Sequence, residues 1–147
     1  MTVTIKPLAE RDFFSWYELF LEYAASAGLE ASDESTMRVW TTLQSDRAGA
    51  FIAVEGGQAV GLAHYTVFER LLVGDTGYQL EDLYVAERSR NQGVATALVE
   101  HVRTKAEEER RVSLRWVTIG DDPAARALAE KFAASTGGWV LHDLPVG

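Results

Sequence analysis

Residues 88–96 have the composition of an anion-binding loop in a chain that is otherwise acidic. The stretch reads RSRNQGVAT and brings Arg88 and Arg90 close to a single glycine, Gly93, where an amphipathic segment begins. The first turn of a helix presents unpaired N–H groups and the positive end of a dipole, so an anion can bind there if the backbone comes close. Gly93 and the small Ala95 permit that approach, and guanidinium groups suit phosphate oxygens. The loop therefore predicts a diphosphate cradle, and the alternative is a tight turn with two solvated arginines.

The elements at the start of the chain alternate between strand and helix patterns. Residues 2–7 alternate apolar with polar side chains and end at a proline, which predicts a first strand. Residues 9–26 carry aromatic and apolar side chains at helical spacing and predict a first helix. A second helix is predicted over 33–44, behind Ser32 or Asp33 as its N-cap.

Three strands are predicted between the second helix and the loop. Residues 48–55 and 59–68 flank the sequence GGQ and predict a hairpin. A further turn separates them from 78–85, whose last residue adjoins the loop. The loop therefore connects the end of a strand to the start of a helix.

The pattern after the loop continues the alternation. A helix is predicted over 94–108, a strand over 112–119, a helix over 122–134 and a last strand over 139–144. The predicted order is β-α-α-β-β-β-α-β-α-β, an α/β protein. Because no repeat, linker or low-complexity tract interrupts it, residues 1–147 are expected to form a single domain.

Composition narrows the class of protein. The 147 residues are 47% hydrophobic, contain no cysteine and carry a formal net charge of −8. These values predict one compact core, exclude thiol chemistry and disfavour nucleic acid as a partner. No apolar run approaches the roughly 20 residues that span a bilayer, so we expect no membrane partner and a cytoplasmic location.

The strand, loop and helix resemble the acetyl-CoA signature of the GCN5-related N-acetyltransferases, the GNAT superfamily. In that family a strand ends in Val, here Val85, and an Arg-x-x-Gly-x-Gly/Ala loop follows, matched by Arg90, Gly93 and Ala95. The order of elements is similar over nearly the whole chain. The sequence LEDLYV, preceded by Tyr78, more locally resembles the polyamine (diamine) acetyltransferase branch. The resemblance implies a three-layer α-β-α fold with a central mixed, mostly antiparallel sheet.

A second family motif, Asn-x-x-Ala-x-x-Leu-Tyr, is matched only in part. Ala125 and Leu128 agree, whereas Asp122 replaces the Asn and Ala129 replaces the Tyr. The Asn of the family binds an amide of the pantetheine arm, which Asp122 could also do, but Asp before Pro123 is an ordinary helix cap and capping is the role we expect. The Tyr of the family assists the departing thiolate, which Ala129 cannot do.

The resemblance implies acetyl-CoA as a co-substrate, without a metal, and assigns the residues that bind it. The end of the strand would pair with the pantetheine arm, and one of its N–H groups would polarise the thioester carbonyl. The implied cofactor-binding residues are Leu83, Tyr84, Val85, Arg90, Asn91, Gln92, Gly93, Val94, Ala95, Thr96 and Asp122.

The implied reaction needs a base, because an alkylamine has a pKa of about 10.4 and must lose a proton before it attacks. The candidates are Glu81, Asp82 and water. Neighbours on a strand point to opposite faces, so at most one of the two carboxylates should face the acceptor. Resemblance to the polyamine branch favours Glu81, and Asp82 is expected to be a solvated or capping charge. Tyr84 is the candidate to replace the missing family Tyr as donor to the thiolate, and its alternative is a packed strand tyrosine.

The predicted function is acetyl transfer from acetyl-CoA to a primary amine of a small, cationic acceptor by direct attack in a ternary complex. The alternative is a catalytically weak or inactive CoA-binding regulatory module, suggested by Ala129. The three histidines lie on separate predicted elements, which disfavours a metal site. The apolar last strand, 139–144, needs cover, so a homodimer is expected.

Overall fold

The computed structural model describes residues 2–118 and 122–147 as two compact units, Met1–Val117 and Thr118–Gly147. The first unit carries most of the regular structure. Its strands are β1 (Thr4–Pro7), β2 (Ala48–Glu55), β3 (Gln58–Arg70), β4 (Asp75–Val85) and β5 (Leu114–Trp116), and its helices are α1 (Phe13–Ser26), α2 (Asp33–Leu43) and α3 (Val94–Glu108). The second unit contains α4 (Pro123–Lys131).

The five strands form one mixed sheet in the order β1-β2-β3-β4-β5. The first four are antiparallel to their neighbours, and β5 runs parallel to β4. The hairpin of β2 and β3 turns at two glycines with positive φ, Gly56 and Gly57, as the GGQ sequence predicts. The mixed, mostly antiparallel sheet expected from the family resemblance is therefore confirmed.

Helices α1 and α2 cover one face of the sheet. Trp16 is fully buried there and packs with Leu19, Ile52, Leu62 and other apolar side chains from both helices and from β2, β3 and β4. Helix α2 begins where expected, because the Ser32 side chain accepts a hydrogen bond from a backbone N–H of its first turn. We call this surface of the sheet the α1 face.

Helix α3 covers the opposite face and begins at Val94, as the pattern predicts. A Cβ on Gly61 of β3 would lie 3.1 Å from both Val94 and Leu98, so this glycine lets the helix pack closely on the sheet. The first unit therefore has three layers, with α1 and α2 on one side of the sheet and α3 on the other.

The C-terminal part of the structure contains less strand than the sequence pattern predicts. Residues 139–144 form no strand, which corrects the predicted last strand: a strand exists only where its backbone pairs with a neighbour, and these residues have no ladder partner in the described structure. The strand predicted over 112–119 shortens to three residues, and Ile119 lies outside the described residues. The single domain over 1–147 stays a prediction.

A β-bulge interrupts the pairing of β3 with β4. His64 pairs with Asp82, whereas the next residue, Tyr65, pairs with Leu80. Glu81 is therefore the extra residue on β4, and a bulge of this kind lets adjacent side chains leave a strand on the same side.

Candidate active site

The loop before α3 has the backbone that an anion cradle requires. Gly93 is the N-cap of α3 with φ 80°, in the left-handed region that favours glycine, and no side chain caps the first turn of the helix. A Cβ built on Gly93 would meet no atom within 4 Å, so the space in front of the helix is open. Asn91 also has a positive φ, 61°, and both Asn91 and Gln92 are exposed. The exposed N–H groups, the open space and the small Ala95 fit a diphosphate group.

The two arginines of the loop have different partners. Arg90 donates from Nε to the carbonyl oxygen of Val85 at 2.9 Å, so the end of β4 fixes its guanidinium beside the loop. Arg88 instead turns to α1, where its guanidinium lies 3.5 Å from a carboxylate oxygen of Glu22 and 3.5 Å from the carbonyl oxygen of Ala59. Arg90 is thus placed for the predicted contact with a phosphate, whereas the guanidinium of Arg88 pairs with the carboxylate of Glu22.

Strand β4 extends beyond the end of β5, toward the loop. The parallel pairing ends at Leu80 with Trp116, and β4 continues to Val85. Within the described residues, no strand pairs with β4 on that edge beyond Leu80. The backbone of Leu83, Tyr84 and Val85 therefore has an uncovered edge, as expected for residues that would bind a pantetheine arm.

Glu81 and Asp82 both point to the α1 face, which corrects the expectation that alternation would separate them. Thr66 donates to Glu81, and His64 contacts Asp82, each at 2.9 Å. Because His64 and Thr66 are two residues apart on a regularly paired part of β3, they share one face of the sheet. The bulge at Glu81 is the physical reason, since it breaks the alternation on which the prediction depended.

Glu81 is exposed, and its hydrogen bonds leave one oxygen available. The hydroxyl of Thr66 and the amide nitrogen of Gln79 both donate to Oε1, each at 2.9 Å. No donor from the described residues bonds to Oε2. Glu81 is therefore held in place by two neutral donors while a carboxylate oxygen faces solvent.

Asp82 is enclosed in a chain of four side chains. The indole of Trp16 donates to Nε2 of His64 at 3.0 Å, Nδ1 of His64 lies 2.9 Å from Oδ2 of Asp82, and the hydroxyl of Tyr23 donates to Oδ1 at 2.6 Å. An indole N–H can only donate, so Nε2 must accept and the proton of the neutral imidazole sits on Nδ1, aimed at Asp82. Both carboxylate oxygens are thus occupied, and Asp82 is neither a solvated charge nor a helix cap.

The protonation of this chain follows from its hydrogen bonds. Burial raises the pKa of Asp82, but the hydrogen bonds from His64 and Tyr23 outweigh it and hold this pKa below the ordinary value of 3.8. Burial and the contact with Asp82 raise the pKa of Tyr23. At neutral pH Asp82 is therefore ionised and the hydroxyl of Tyr23 keeps its proton.

Tyr84 is buried on the same face, and its hydroxyl donates to the Glu22 carboxylate at 2.8 Å. Burial and this contact raise the pKa of Tyr84. The guanidinium of Arg90 lies 5.7 Å from the centre of the Tyr84 ring, a cation–π arrangement that links the loop to the end of β4. Tyr84 is thus packed and hydrogen-bonded, and its hydroxyl keeps a proton at neutral pH.

Asp122 and Ala129 lie in the second unit. Asp122 is the N-cap of α4, where its carboxylate accepts from the N–H of Ala124 at 3.0 Å and Pro123 follows in the first turn. The capping role expected from the sequence is confirmed, and binding of a pantetheine amide stays a prediction.

Several residues of the α1 face were not predicted from the sequence. Trp16, Tyr23 and His64 belong to the chain around Asp82, and Glu22 binds both Tyr84 and Arg88. These contacts join positions up to 66 residues apart, and no local spacing indicates them. The one usable signal was that α1 has more aromatic rings than a single buried stripe can hold.

Comparison with known proteins identifies the family. Residues 12–134 match the model of the acetyltransferase (GNAT) family. The chain therefore belongs to the GNAT family of acetyl-CoA-dependent N-acetyltransferases, and it is an acyltransferase. A D-amino-acid N-acetyltransferase, HPA3 of Saccharomyces cerevisiae, is 28% identical over 91% of this chain and 86% of its own length.

Solved structures agree with this fold. The ribosomal-protein-alanine N-acetyltransferase of Brucella melitensis superposes with a TM-score of 0.81 at 24% identity, over 99% of this chain and 100% of that one. AAC(6')-Iy, in complex with a bisubstrate analog of CoA, superposes with a TM-score of 0.84 at 17% identity over 100% of both chains. At these identities the likeness shows the fold alone.

No helix among residues 2–118 and 122–147 is long and apolar enough to cross a membrane. The same residues contain no group of three or more His, Asp or Glu side chains placed to hold a metal ion.

Proposed function

We propose that this protein transfers the acetyl group of acetyl-CoA to a small primary amine that is protonated, and thus cationic, at neutral pH. The amine would attack directly, with both substrates bound together. The observation that carries the proposal is the position of Glu81, an exposed carboxylate on a bulge, next to the point where β4 leaves β5. The D-amino-acid N-acetyltransferase relative supports a small amine as acceptor.

The loop and the end of β4 would hold acetyl-CoA. The N–H groups at the start of α3 would bind the diphosphate together with Arg90, and the uncovered edge of Leu83, Tyr84 and Val85 would pair with the pantetheine arm. The residues assigned to the diphosphate cradle are Arg90, Asn91, Gln92, Gly93, Val94, Ala95 and Thr96. Asp122 is proposed as an additional contact to an amide of the arm.

Glu81 would act as the general base on the α1 face. Its Oε2 would accept one proton of the ammonium, after which the nitrogen lone pair forms a bond to the carbonyl carbon. The carbon–sulfur bond then breaks, the electron pair leaves with sulfur as a thiolate, and the nitrogen releases its second proton as the thiolate takes one up. An N–H group of β4 near Leu83 would stabilise the negative charge on the carbonyl oxygen. Asp82 is the weaker candidate, because His64 and Tyr23 already occupy both its oxygens.

Tyr84 is the proposed donor to the departing thiolate, since Ala129 has no hydroxyl. Its raised pKa keeps the hydroxyl protonated, but it must exchange its hydrogen bond with Glu22 for one with sulfur. A thiol has a pKa of about 8.5, so the thiolate can also leave near neutral pH without a strong acid.

Release of thiol from acetyl-CoA over a panel of small amines tests the transfer. The panel contains polyamines, amino acids and aminoglycosides, and we expect turnover that depends on both substrates. Gly93→Val serves as the matched variant, because its side chain would fill the open space before α3 and its left-handed φ strains a β-branched residue. It should abolish binding of acetyl-CoA in a calorimeter, and unchanged binding would contradict the assigned cradle.

Calorimetry also separates the proposed enzyme from the alternative expected on the basis of Ala129. A protein that binds acetyl-CoA at this loop but acetylates no amine of the panel would be a CoA-binding regulatory module. We expect instead that binding and turnover are both observed and both disappear in Gly93→Val.

We also propose a cytoplasmic homodimer. Residues 139–144 are not a strand, so no strand edge in this segment needs cover. The apolar content of that segment, with Trp139, Val140 and Leu141 in succession, supports the dimer instead. Light scattering at working concentration tests it, and a monomer would contradict it.

A further inference from the structure

A guanidinium group is held next to the Glu81 carboxylate by a single amide. Arg115 on β5 donates from Nε to Oε1 of Gln79 at 2.7 Å, and the amide nitrogen of Gln79 donates to Oε1 of Glu81 at 2.9 Å. The orientation of this amide follows from its partners, because Nε can only donate and a carboxylate can only accept. Gln79 therefore bridges a cation and a carboxylate that do not touch each other.

The position of Arg115 is fixed by packing as well as by this hydrogen bond. Its guanidinium carbon lies 3.5 Å from the centre of the Phe68 ring, a close stacking contact. Phe68 in turn lies over Gly77, where a Cβ would approach the ring to 2.5 Å. The absence of a side chain at Gly77 thus makes room for the ring that supports the guanidinium. Such a support is expected to lower the entropy that Arg115 would lose on binding an anion.

Arg115 is also well placed with respect to the proposed reaction. It pairs with Gln79 one residue before the pairing of β4 with β5 ends, and it is exposed. Gln79 and Thr66 both bond to Glu81, so the cation and the proposed base occupy one side of the sheet. The side-chain amide of Gln79 and its two hydrogen bonds connect the guanidinium to the Glu81 carboxylate. An amine bound at Glu81 would therefore lie close to the guanidinium.

We infer that Arg115 binds a carboxylate of the acceptor, so that the acceptor is an amino acid whose amine lies at Glu81. The inference rests on the proposed acetyl transfer. An α-amino acid carries its ammonium and its carboxylate on the same carbon, so it has a group for each of two opposite charges that are held close together. Arg115 offers a planar pair of donors to such a carboxylate. A polyamine has no group for this cation and would place a second positive charge near it.

Acceptors in matched pairs test this inference. The pairs are alanine with ethylamine, leucine with isoamylamine and phenylalanine with phenethylamine, with each amino acid in both hands, and thiol release gives kcat and KM. The parent protein should favour the amino acid of a pair. In Arg115→Gln the ratio of kcat/KM between the two members should fall about 10- to 100-fold, mainly through KM, as expected for loss of a charge-assisted hydrogen bond.

Two variants control the result. Arg115→Lys keeps the charge without the planar fork and should give an intermediate ratio. Arg38→Gln removes an exposed arginine of α2 whose partner is Glu34, and its ratio should equal that of the parent. Thermal unfolding of each variant establishes that it is folded.

Three results would overturn the inference. They are an unchanged ratio in Arg115→Gln, equal use of both members of each pair by the parent, and a preference of the parent for the amine without a carboxylate. Turnover of a polyamine or an aminoglycoside by a parent that acetylates none of the paired compounds would also overturn the inference and leave the proposed acetyl transfer standing. If the parent acetylates no amine at all, the proposed acetyl transfer fails, and binding of the same amino acids in the presence of CoA decides about Arg115. Binding that is lost in Arg115→Gln would support a carboxylate site, whereas no binding to the parent would exclude one.

Discussion

Two hydrogen-bonded chains of polar side chains start from neighbouring residues of β4 at its bulge, and they differ in their exposure to solvent. The buried chain joins Asp82 to His64, Trp16 and Tyr23, and every described donor in it has a partner. The exposed chain joins Glu81 to Thr66, Gln79 and Arg115, and it leaves carboxylate and guanidinium groups toward solvent. Both chains start on the same face because Glu81 is the extra residue that the bulge adds to β4.

The difference shows how neighbouring carboxylates can have unlike roles. Asp82 is half-buried and both its oxygens are hydrogen-bonded, and such a carboxylate is costly to disturb because removal of one partner leaves others unsatisfied. An exposed carboxylate can exchange solvent for a substrate at little cost. We therefore expect the buried chain to determine stability and the exposed chain to determine turnover, and four predictions test this division.

The largest expected effect is on turnover in Glu81→Gln. The substitution keeps the shape of the side chain but removes its basicity, so turnover should fall about 100- to 10,000-fold. The deficit should shrink as the pH rises toward the pKa of the free amine, about 10.4, because the amine then loses its proton without help. Rates measured from pH 6 to 10 give both quantities, and a pH profile identical to that of the parent would eliminate Glu81 as the base.

A smaller expected effect is the loss of stability in Asp82→Asn. An amide at this position replaces the charge that accepts from both His64 and Tyr23, which should lower the free energy of unfolding by about 1–3 kcal/mol. Chemical unfolding measures this change, and the same experiment on Glu81→Gln is the matched control, for which we expect almost none. Equal losses in both variants would contradict the division.

The pH dependence of stability sharpens the same test. The folded pKa of Asp82 lies below its unfolded value of 3.8, so its contribution is fully present above that pH and is lost as the pH falls through the folded pKa. Asp12, bound to Lys6, has its pKa lowered as well and contributes in the same direction. Asp82→Asn should therefore lose only part of the acid destabilisation of the parent. A variant that responds to acid like the parent would contradict the assigned pKa.

The smallest expected effect follows the removal of one donor to Glu81. Thr66→Val keeps the shape of the side chain but removes a hydrogen bond to Oε1 that helps to hold the Glu81 carboxylate in place. Turnover should therefore fall only a few-fold, because Gln79 still donates to the same oxygen. Thiol release measures the change, and a fall as large as that of Glu81→Gln would show that Thr66 does more than position the carboxylate.

The sequence predicted the parts of the fold that depend on local patterns. The start of α3 at Val94 follows from one glycine and a helical repeat, and the hairpin of β2 and β3 follows from two adjacent glycines. The bulge at Glu81 was not predictable in this way, because it depends on the register between β3 and β4. The prediction of a last strand over 139–144 was wrong for a related reason, because an apolar segment forms a strand only when a partner strand is available.

The candidate site likewise has one part that the sequence reveals and another that only the fold brings together. The loop residues around Gly93 depend on backbone conformation, which glycine and small residues reveal in the sequence. The side chains of the α1 face come from α1, β3, β4 and β5, and only the folded sheet brings Trp16, His64 and Arg115 to the strand that carries Glu81. A family resemblance could indicate Glu81 but not the partners that hold it.

The short pairing between β4 and β5 has a consequence for backbone dynamics. Amide protons on the uncovered edge of β4, from Glu81 to Val85, have no strand to protect them within the described residues, whereas Tyr78 donates to the carbonyl oxygen of Ser113 at 2.9 Å. Exchange of these protons with deuterated solvent should therefore be faster at the end of β4 than at its middle. Acetyl-CoA, by supplying the missing partners, would make the two halves of the strand exchange alike.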